Sequence, residues 1–348
     1  MYPLNDCVLG GDRTLALRVI RVTAFPHAPE SMLAEERQIL RRAGAEVVPV
    51  TARTTTEMID AVEAADGLIT TTIPITAEVM AAMPNCRAIV AAGIGFDHVD
   101  LAATTARGII VANVPDFCVR EVANHTIGLL LACARKIVRL NLAMQAGRWD
   151  RTMLHPMSSI YGQTLGLLSF GRIAREVAQR ARAFDLRVIA HDPYVAAETA
   201  ASLNVALVSL DELLQQSEYL SVHAPRTNET HHLLSDREFA LMKPTALLFN
   251  TGRGGVVDEA ALVRALGAGQ IAGAGIDVFE QEPIPPDHPL IGMENVVLTP
   301  HAAGYSDAAI GTVRRLAAEE MARILQGEPP HHRVDQTVAN AAAGTKSQ

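Results

Sequence analysis

The 348-residue chain is poor in cysteine, with four, and in tryptophan, with one. Cys7, Cys86, Cys118 and Cys133 are scattered without a C-x-x-C spacing, which argues against a disulfide framework or a zinc site and fits reduced structural thiols. Apolar runs such as Ala88 to Phe96 and Ile127 to Ala134 fall far short of the roughly 18 residues of a membrane helix, so no bilayer span is expected. There is no block of Lys or Arg to follow a phosphate backbone, and 30 basic against 38 acidic residues leave a net charge of −8. Nucleic acid is therefore not an expected ligand. The N-terminal MYPLNDCVLGG lacks the basic start and apolar stretch of a secretory leader, and a cytoplasmic location is expected. No repeat with a period of about 20 to 50 residues is visible.

What the chain does have is a composition suited to a large core, 49% apolar and 20% charged, over a length that suggests about two domains at roughly 150 residues each. Short aliphatic runs alternate with amphipathic stretches from end to end, the pattern of parallel strands joined by crossover helices, so the fold class is α/β. One series of strands is predicted at Leu17 to Thr23, Val47 to Val50, Gly67 to Thr72, Ala88 to Ala92 and Ile109 to Asn113. A second begins after Tyr161, at Leu165 to Phe170, Arg187 to Asp192, Val205 to Val208, Tyr219 to His223, Ala246 to Asn250, Gly273 to Val278 and Val296 to Thr299. Two sheets are expected. Between them, Glu121 to Gln145 contains Gly128 but no proline and reads as one long connecting helix. Ser306 to Leu325 is again helical, and the Ala/Gly/Ser-rich tail, 335–348, reads as disordered.

Chemistry collects in the second series. In LGLLSFGRIAREVA a strand, a tight turn at Ser169, Phe170 and Gly171, and a helix starting near Arg172 follow one another directly. Such a turn lets a pyrophosphate reach backbone N–H groups at a helix N-terminus, where the dipole favours negative charge. The next strand ends in Asp192, at the spacing where a carboxylate can accept from the adenosine ribose hydroxyls. Ser169 and Ala174 stand where the first and third glycines of the dinucleotide motif are expected, alanine being an accepted variant at the third. Arg253, Asp277, Glu282 and His301 also stand where strands end. In an open parallel sheet those ends share one edge, where a guanidinium, carboxylates and an imidazole would supply a substrate anchor, a charge partner and a general acid/base. Each alone is more often structural; their combination with a dinucleotide turn reverses that weighting.

With these residues in view, the chain resembles the D-isomer-specific 2-hydroxyacid dehydrogenase family from Leu17 to about Val334. The motifs that carry the resemblance are GIGFDHVDLAA, NVPDFCVREVANHT, LGLLSFGRIA, HDPY, LMKPTALLFNTGRGGVVDEAAL, GIDVFEQEP and LTPHAAGYS. The wording NVPDF, DPY and HAAGYS is most similar to the branch that contains the C-terminal binding protein corepressors and their bacterial dehydrogenase relatives. The resemblance implies two doubly wound parallel-sheet domains, Rossmann-like and flavodoxin-like, with the active site in the interdomain cleft. It implies a discontinuous substrate domain, 1–115 and 303–334, around an NAD-binding domain, 116–302. Arg253, Glu282 and His301 would be catalytic. Ser169, Gly171, Arg172, Ile173, Asp192, His223, Thr251 and Asp277 would contact NAD, Asp277 through the nicotinamide carboxamide. Gly93, Ile94 and Gly95 would offer N–H groups to the substrate carboxylate, with Arg253 gripping the same acid. The departures are Ser169, Ala174, Gly252 where alanine is usual, and Asn124 where an acid is usual.

The implied activity is NAD-dependent interconversion of a small 2-hydroxy and 2-oxo acid, by a homodimer built through the helix 117–147. The alternative is an NAD(H)-sensing interaction protein with little turnover. His223 lines the cofactor cleft on the resemblance or is a buried structural histidine. Trp149 is expected to be a packing anchor, and His231-His232 and His331-His332 lack ligand partners for a metal. Only 47 residues follow His301, so a regulatory domain of the kind that extends many phosphoglycerate dehydrogenases is not expected. Substrate choice is expected to lie with loops such as Ala24 to Pro29 and Thr72 to Thr76.

Overall fold

The computed structural model describes residues 17–23 and 30–334. Cys7, the loop Ala24 to Pro29 and the tail 335–348 lie outside the described residues. The chain divides into two compact units, Met1–Phe117 with Ile310–Gln348, and Cys118–Ala309.

The first unit carries β1 (Leu17–Thr23), β2 (Ala45–Thr51), β3 (Gly67–Thr70), β4 (Ala88–Ala91) and β5 (Ile110–Asn113), in the all-parallel order β2-β1-β3-β4-β5. The inner strands GLIT and AIVA are buried at every position, as strands covered by helices on both faces must be. Alternate residues feed two apolar layers, Ile20, Leu68, Ile89 and Val111 into one and Val19, Ile69, Val90 and Ala112 into the other. Pro49 sits in β2, an edge strand, where a missing N–H costs no central ladder bond. The helix Asp307–Leu325 packs Val313, Ala317, Ala318 and Met321 into the second of those layers. A Cβ on Gly67 would fall 2.5 Å from Met321 Sδ, so glycine is what admits that methionine.

The second unit carries β6 (Thr164–Leu168), β7 (Arg187–His191), β8 (Ala206–Leu207), β9 (Tyr219–Val222), β10 (Leu247–Asn250), β11 (Gly273–Ile276) and β12 (Val296–Leu298). Their order, β12-β11-β10-β9-β6-β7-β8, is again all parallel. The winding reverses between β6 and β9, the place where an open sheet leaves a crevice at its carboxyl ends. Every expected strand is present, most a residue or two shorter than its apolar run.

One expectation is corrected. The single connecting helix is two, Val119–Ala134 and Ile137–Gln145, broken at Lys136, whose φ is +53°. No glycine or proline marks the break. Lys136 Nζ instead donates to the carbonyl oxygens of Met153 and Leu154, both at 3.2 Å, a tertiary tie that apolar spacing does not reveal. Trp149 is also corrected: it is 82% exposed and is not a packing anchor among the described residues.

Candidate active site

At the end of β6 the chain turns through Ser169, with φ at +74°, a left-handed conformation that glycine adopts freely and serine does not. Asp192, one residue past β7, braces this turn. Its Oδ2 accepts from Ser169 Oγ (3.1 Å) and Phe170 N–H (2.8 Å), and its Oδ1 accepts from Tyr194 N–H (2.9 Å). The serine hydroxyl thus supplies a local bond that glycine would lack, which offsets part of the backbone cost. Gly171 caps the helix Arg172–Arg182 without a side-chain cap bond, so Arg172 and Ile173 open a helix whose N-terminus no side chain caps. A Cβ on Gly171 would meet nothing within 4 Å, so the turn faces open space. Ala174 is fully buried beside Phe170 and Ala178, where a methyl group is packed.

Neighbouring strand ends complete this edge. His223 N–H donates to Leu168 O, which ties the end of β9 to β6. Its Nε2 lies 2.9 Å from Ser221 Oγ, its Nδ1 is buried with no partner among the described residues, and burial pushes its pKa down to about 4. Past β10, Asn250 ties the loop together, its Oδ1 accepting from Gly252 N–H and its Nδ2 donating to Arg253 O. A Cβ at Gly252 would press on Val222 O and Ala224 O at 3.1 and 3.2 Å, so alanine is tight at this position. Thr251 is buried, its hydroxyl 2.8 Å from that of Thr126, which itself donates to Val122 O. That hydroxyl is directed at the helix Val119–Ala134.

Arg253, Glu282 and His301 come together. His301 Nδ1 lies 2.7 Å from Glu282 Oε2, and Phe279 N–H donates to Glu282 Oε1 at 3.0 Å. Burial alone would raise the Glu282 carboxyl. The bond and charge of His301, the Phe279 N–H and the charge of Arg253 outweigh it and hold the group below the usual carboxylate range. His301 itself has φ +51°. Its turn is held by Asp277, whose main-chain oxygen accepts from His301 N–H and whose fully buried carboxylate accepts from Thr299 Oγ1 (2.5 Å), Ala302 N–H (2.9 Å) and Ala303 N–H (3.0 Å). Asp277 is thus the post on which the histidine turn is built.

Sequence reasoning missed His125, whose Nε2 is 3.0 Å from Thr299 Oγ1 and 3.5 Å from Asp277 Oδ1. It lies inside the motif NVPDFCVREVANHT, and nothing in helical spacing separates it from a surface residue. Asn250 was missed as well, although an Asn followed by Thr-Gly at a strand end is a turn signal. Asn124 accepts from Arg180 Nε at 2.7 Å, a helix-to-helix bond away from the catalytic trio. In the first unit, Gly93 N–H donates to Ala91 O, while Gly93 O and Ile94 O accept from Val114 N–H and Asn113 Nδ2. The Gly93 N–H, expected to face a substrate carboxylate, is thus engaged within the loop. Among the described residues no cluster of His, Cys, Asp and Glu suits a metal ion, and no helix is long and apolar enough to cross a membrane.

The family described as D-isomer specific 2-hydroxyacid dehydrogenase, NAD binding domain, matches residues 127–303. A glyoxylate reductase of Korarchaeum cryptofilum is 41% identical over 286 residues, 81% of this chain and 86% of the relative. A D-3-phosphoglycerate dehydrogenase of Methanocaldococcus jannaschii is 38% identical over 84% of this chain, which spans only 55% of that longer relative. An NADPH-dependent glyoxylate/hydroxypyruvate reductase of Sinorhizobium meliloti, solved with NADP and malonate, superposes with a TM-score of 0.80 at 30% identity, covering 92% of this chain and 98% of that one.

Proposed function

The chain belongs to the D-isomer-specific 2-hydroxyacid dehydrogenases, NAD-dependent oxidoreductases of CH–OH groups, and from that membership we propose that it reduces a small 2-oxo acid, of the size of glyoxylate or hydroxypyruvate, with NADH. The observation that carries the reading is the His301–Glu282 pair at 2.7 Å, under the charge of Arg253, in the same sheet as the dinucleotide turn.

The residues present fit the cofactor. The uncapped helix N-terminus behind Gly171 suits a pyrophosphate, Asp192 suits a ribose, and Nδ1 of His223 is a buried polar atom with no partner among the described residues. When bound, NADH supplies the hydride. Glu282, ionised across the neutral range, accepts the Nδ1 proton of His301 and fixes the ring, which leaves Nε2 to give the proton that the new hydroxyl requires. Arg253 anchors the substrate carboxylate and polarises the ketone. Asp277 keeps His301 in its left-handed turn.

The first unit serves as the substrate domain and the second as the nucleotide domain. Ile137, Val138, Leu142, Met144 and Trp149, all exposed, form an apolar surface on and after the helix Ile137–Gln145, and a second copy of the chain covers it in a homodimer. Cys86, Cys118 and Cys133 are free thiols, which suits the cytoplasm.

The test is a spectrophotometric panel of 2-oxo acids with NADH: glyoxylate, hydroxypyruvate, pyruvate and phosphohydroxypyruvate. Turnover of one or more that collapses in His301→Ala supports the reading. Absence of turnover with tight NADH binding would replace it by a dinucleotide-sensing role.

A further inference from the structure

A side-chain bridge at the other end of this sheet edge plays no part in the acid–base centre. Tyr194 follows β7 and Glu229 follows β9, and these strands flank β6 on opposite sides. The Tyr194 hydroxyl donates to Glu229 Oε2 at 2.5 Å, so the bridge spans the carboxyl end of β6, where the turn Ser169 to Gly171 lies.

Both ends of the bridge are pinned. Tyr194 N–H is tied to Asp192 Oδ1. The turn that presents Glu229 is stapled by Thr227 N–H on Thr230 Oγ1, Thr230 N–H on Thr227 Oγ1, and the Thr230 hydroxyl on Pro225 O. The Tyr194 ring is 80% exposed, so its hydroxyl bond, not packing, holds it in place. That bond and the charge of Glu229 push the phenol's pKa upward, which keeps it a donor.

We propose that the Tyr194–Glu229 bridge is a strap across the adenosine end of the crevice, and that Glu229 is a second carboxylate, beside Asp192, that excludes a 2′-phosphorylated nucleotide. The proposal rests on the NAD(H) reading above and deepens it. Asp192 shares its charge among three donors, the Ser169 hydroxyl and the N–H groups of Phe170 and Tyr194, which blunts its repulsion of a phosphate. Glu229 brings a second negative charge to the same mouth. Arg175 is turned to Phe170, through its carbonyl oxygen and its ring, and Arg226 lies against Gly255, while Arg172 opens the helix behind the turn. A structural neighbour binds NADP on this same fold, so the choice between dinucleotides falls to side chains such as these.

The test titrates NADH and NADPH into the full-length protein by nucleotide fluorescence and reads dissociation constants, not turnover. Glu229→Gln is expected to tighten NADPH by about three- to tenfold and leave NADH within about twofold, with the gain shrinking as salt is raised. Tyr194→Phe, which frees the carboxylate, is expected to tighten NADPH by a smaller factor. If Glu229→Gln leaves the NADPH-to-NADH ratio of the wild type while Asp192→Ala changes it, the strap is overturned and the crevice reading stands. If the wild type binds neither nucleotide, both are overturned.

Discussion

Asp277 offers a sharp test, because its buried carboxylate holds the histidine turn, whereas the family resemblance implies that it holds the cofactor. Asp277→Ala removes the acceptor of the Thr299 hydroxyl and of the Ala302 and Ala303 N–H groups in a pocket where the residue has no exposed surface. Each stranded donor costs about 1 kcal/mol at the low end, so three cost about 3 kcal/mol or more. In a unit of this size that lowers the melting temperature by roughly 6 to 12 °C. His301, held at φ +51° by the same post, should relax, and a displacement of the order of 1 Å costs about 10²-fold in kcat. The assay pairs a thermal melt of the cofactor-free protein with reduction kinetics. Asp277→Asn, which keeps one acceptor, should lose about half as much stability. An Asp277→Ala protein that melts within 2 °C of wild type and has lost only NADH affinity would refute the argument and leave Asp277 as a cofactor ligand alone.

Other expectations follow from single sites. His301→Ala should lower reduction by about 10² to 10⁴, and Glu282→Gln, which weakens the bond that fixes the His301 ring, should lower kcat with KM little changed; an unchanged kcat would mean the pair is structural. Glu282 is held below its ordinary range, so it is ionised at neutral pH, and its stabilising bond to His301 is fully present above the ordinary carboxylate pKa and lost as pH falls through the lowered value. Acid titration of stability in wild type against Glu282→Gln measures that difference. A Cβ at Gly254 would overlap the Phe279 carbonyl and sit 2.5 Å from Glu280 N, all backbone, so Gly254→Ala should cost more than about 3 kcal/mol or prevent folding, as read by expression and circular dichroism. Burial pushes the Cys86, Cys118 and Cys133 thiols up to about 12, and iodoacetamide at pH 8 should label none of the three before unfolding, by mass spectrometry. On the proposed homodimer, light scattering should give a dimer mass for the wild type and a monomer mass for Leu142→Asp with Trp149→Asp; an unchanged mass would exclude this surface.

Much of the molecule was legible in the linear chain because the signals are local. A run such as TLGLL or YLSV is apolar at nearly every position, as a strand buried on both faces must be, and the spacing from Gly171 to Asp192 is one strand-turn-helix-strand unit long. Boundaries ran a residue or two long because apolar side chains continue past the last ladder bond, as at Phe170 and Val278. The long helix failed for the opposite reason: its break at Lys136 coincides with bonds from Lys136 Nζ to the carbonyls of Met153 and Leu154, which no short window around Lys136 contains. Trp149 misled because a large aromatic side chain is buried on average, whereas here it is exposed.

By itself, then, the sequence determined the α/β class, the two sheets and which residues would stand at strand ends, since periodicity and turn chemistry are properties of neighbours along the chain. It did not determine what those residues do to one another. Only the winding of the second sheet sets Glu282 against His301, stands that histidine's turn on Asp277 and His125, and carries Tyr194 across to Glu229. Such pairings join residues 19 to 152 positions apart, and their hydrogen bonds exist only after folding has brought these residues together.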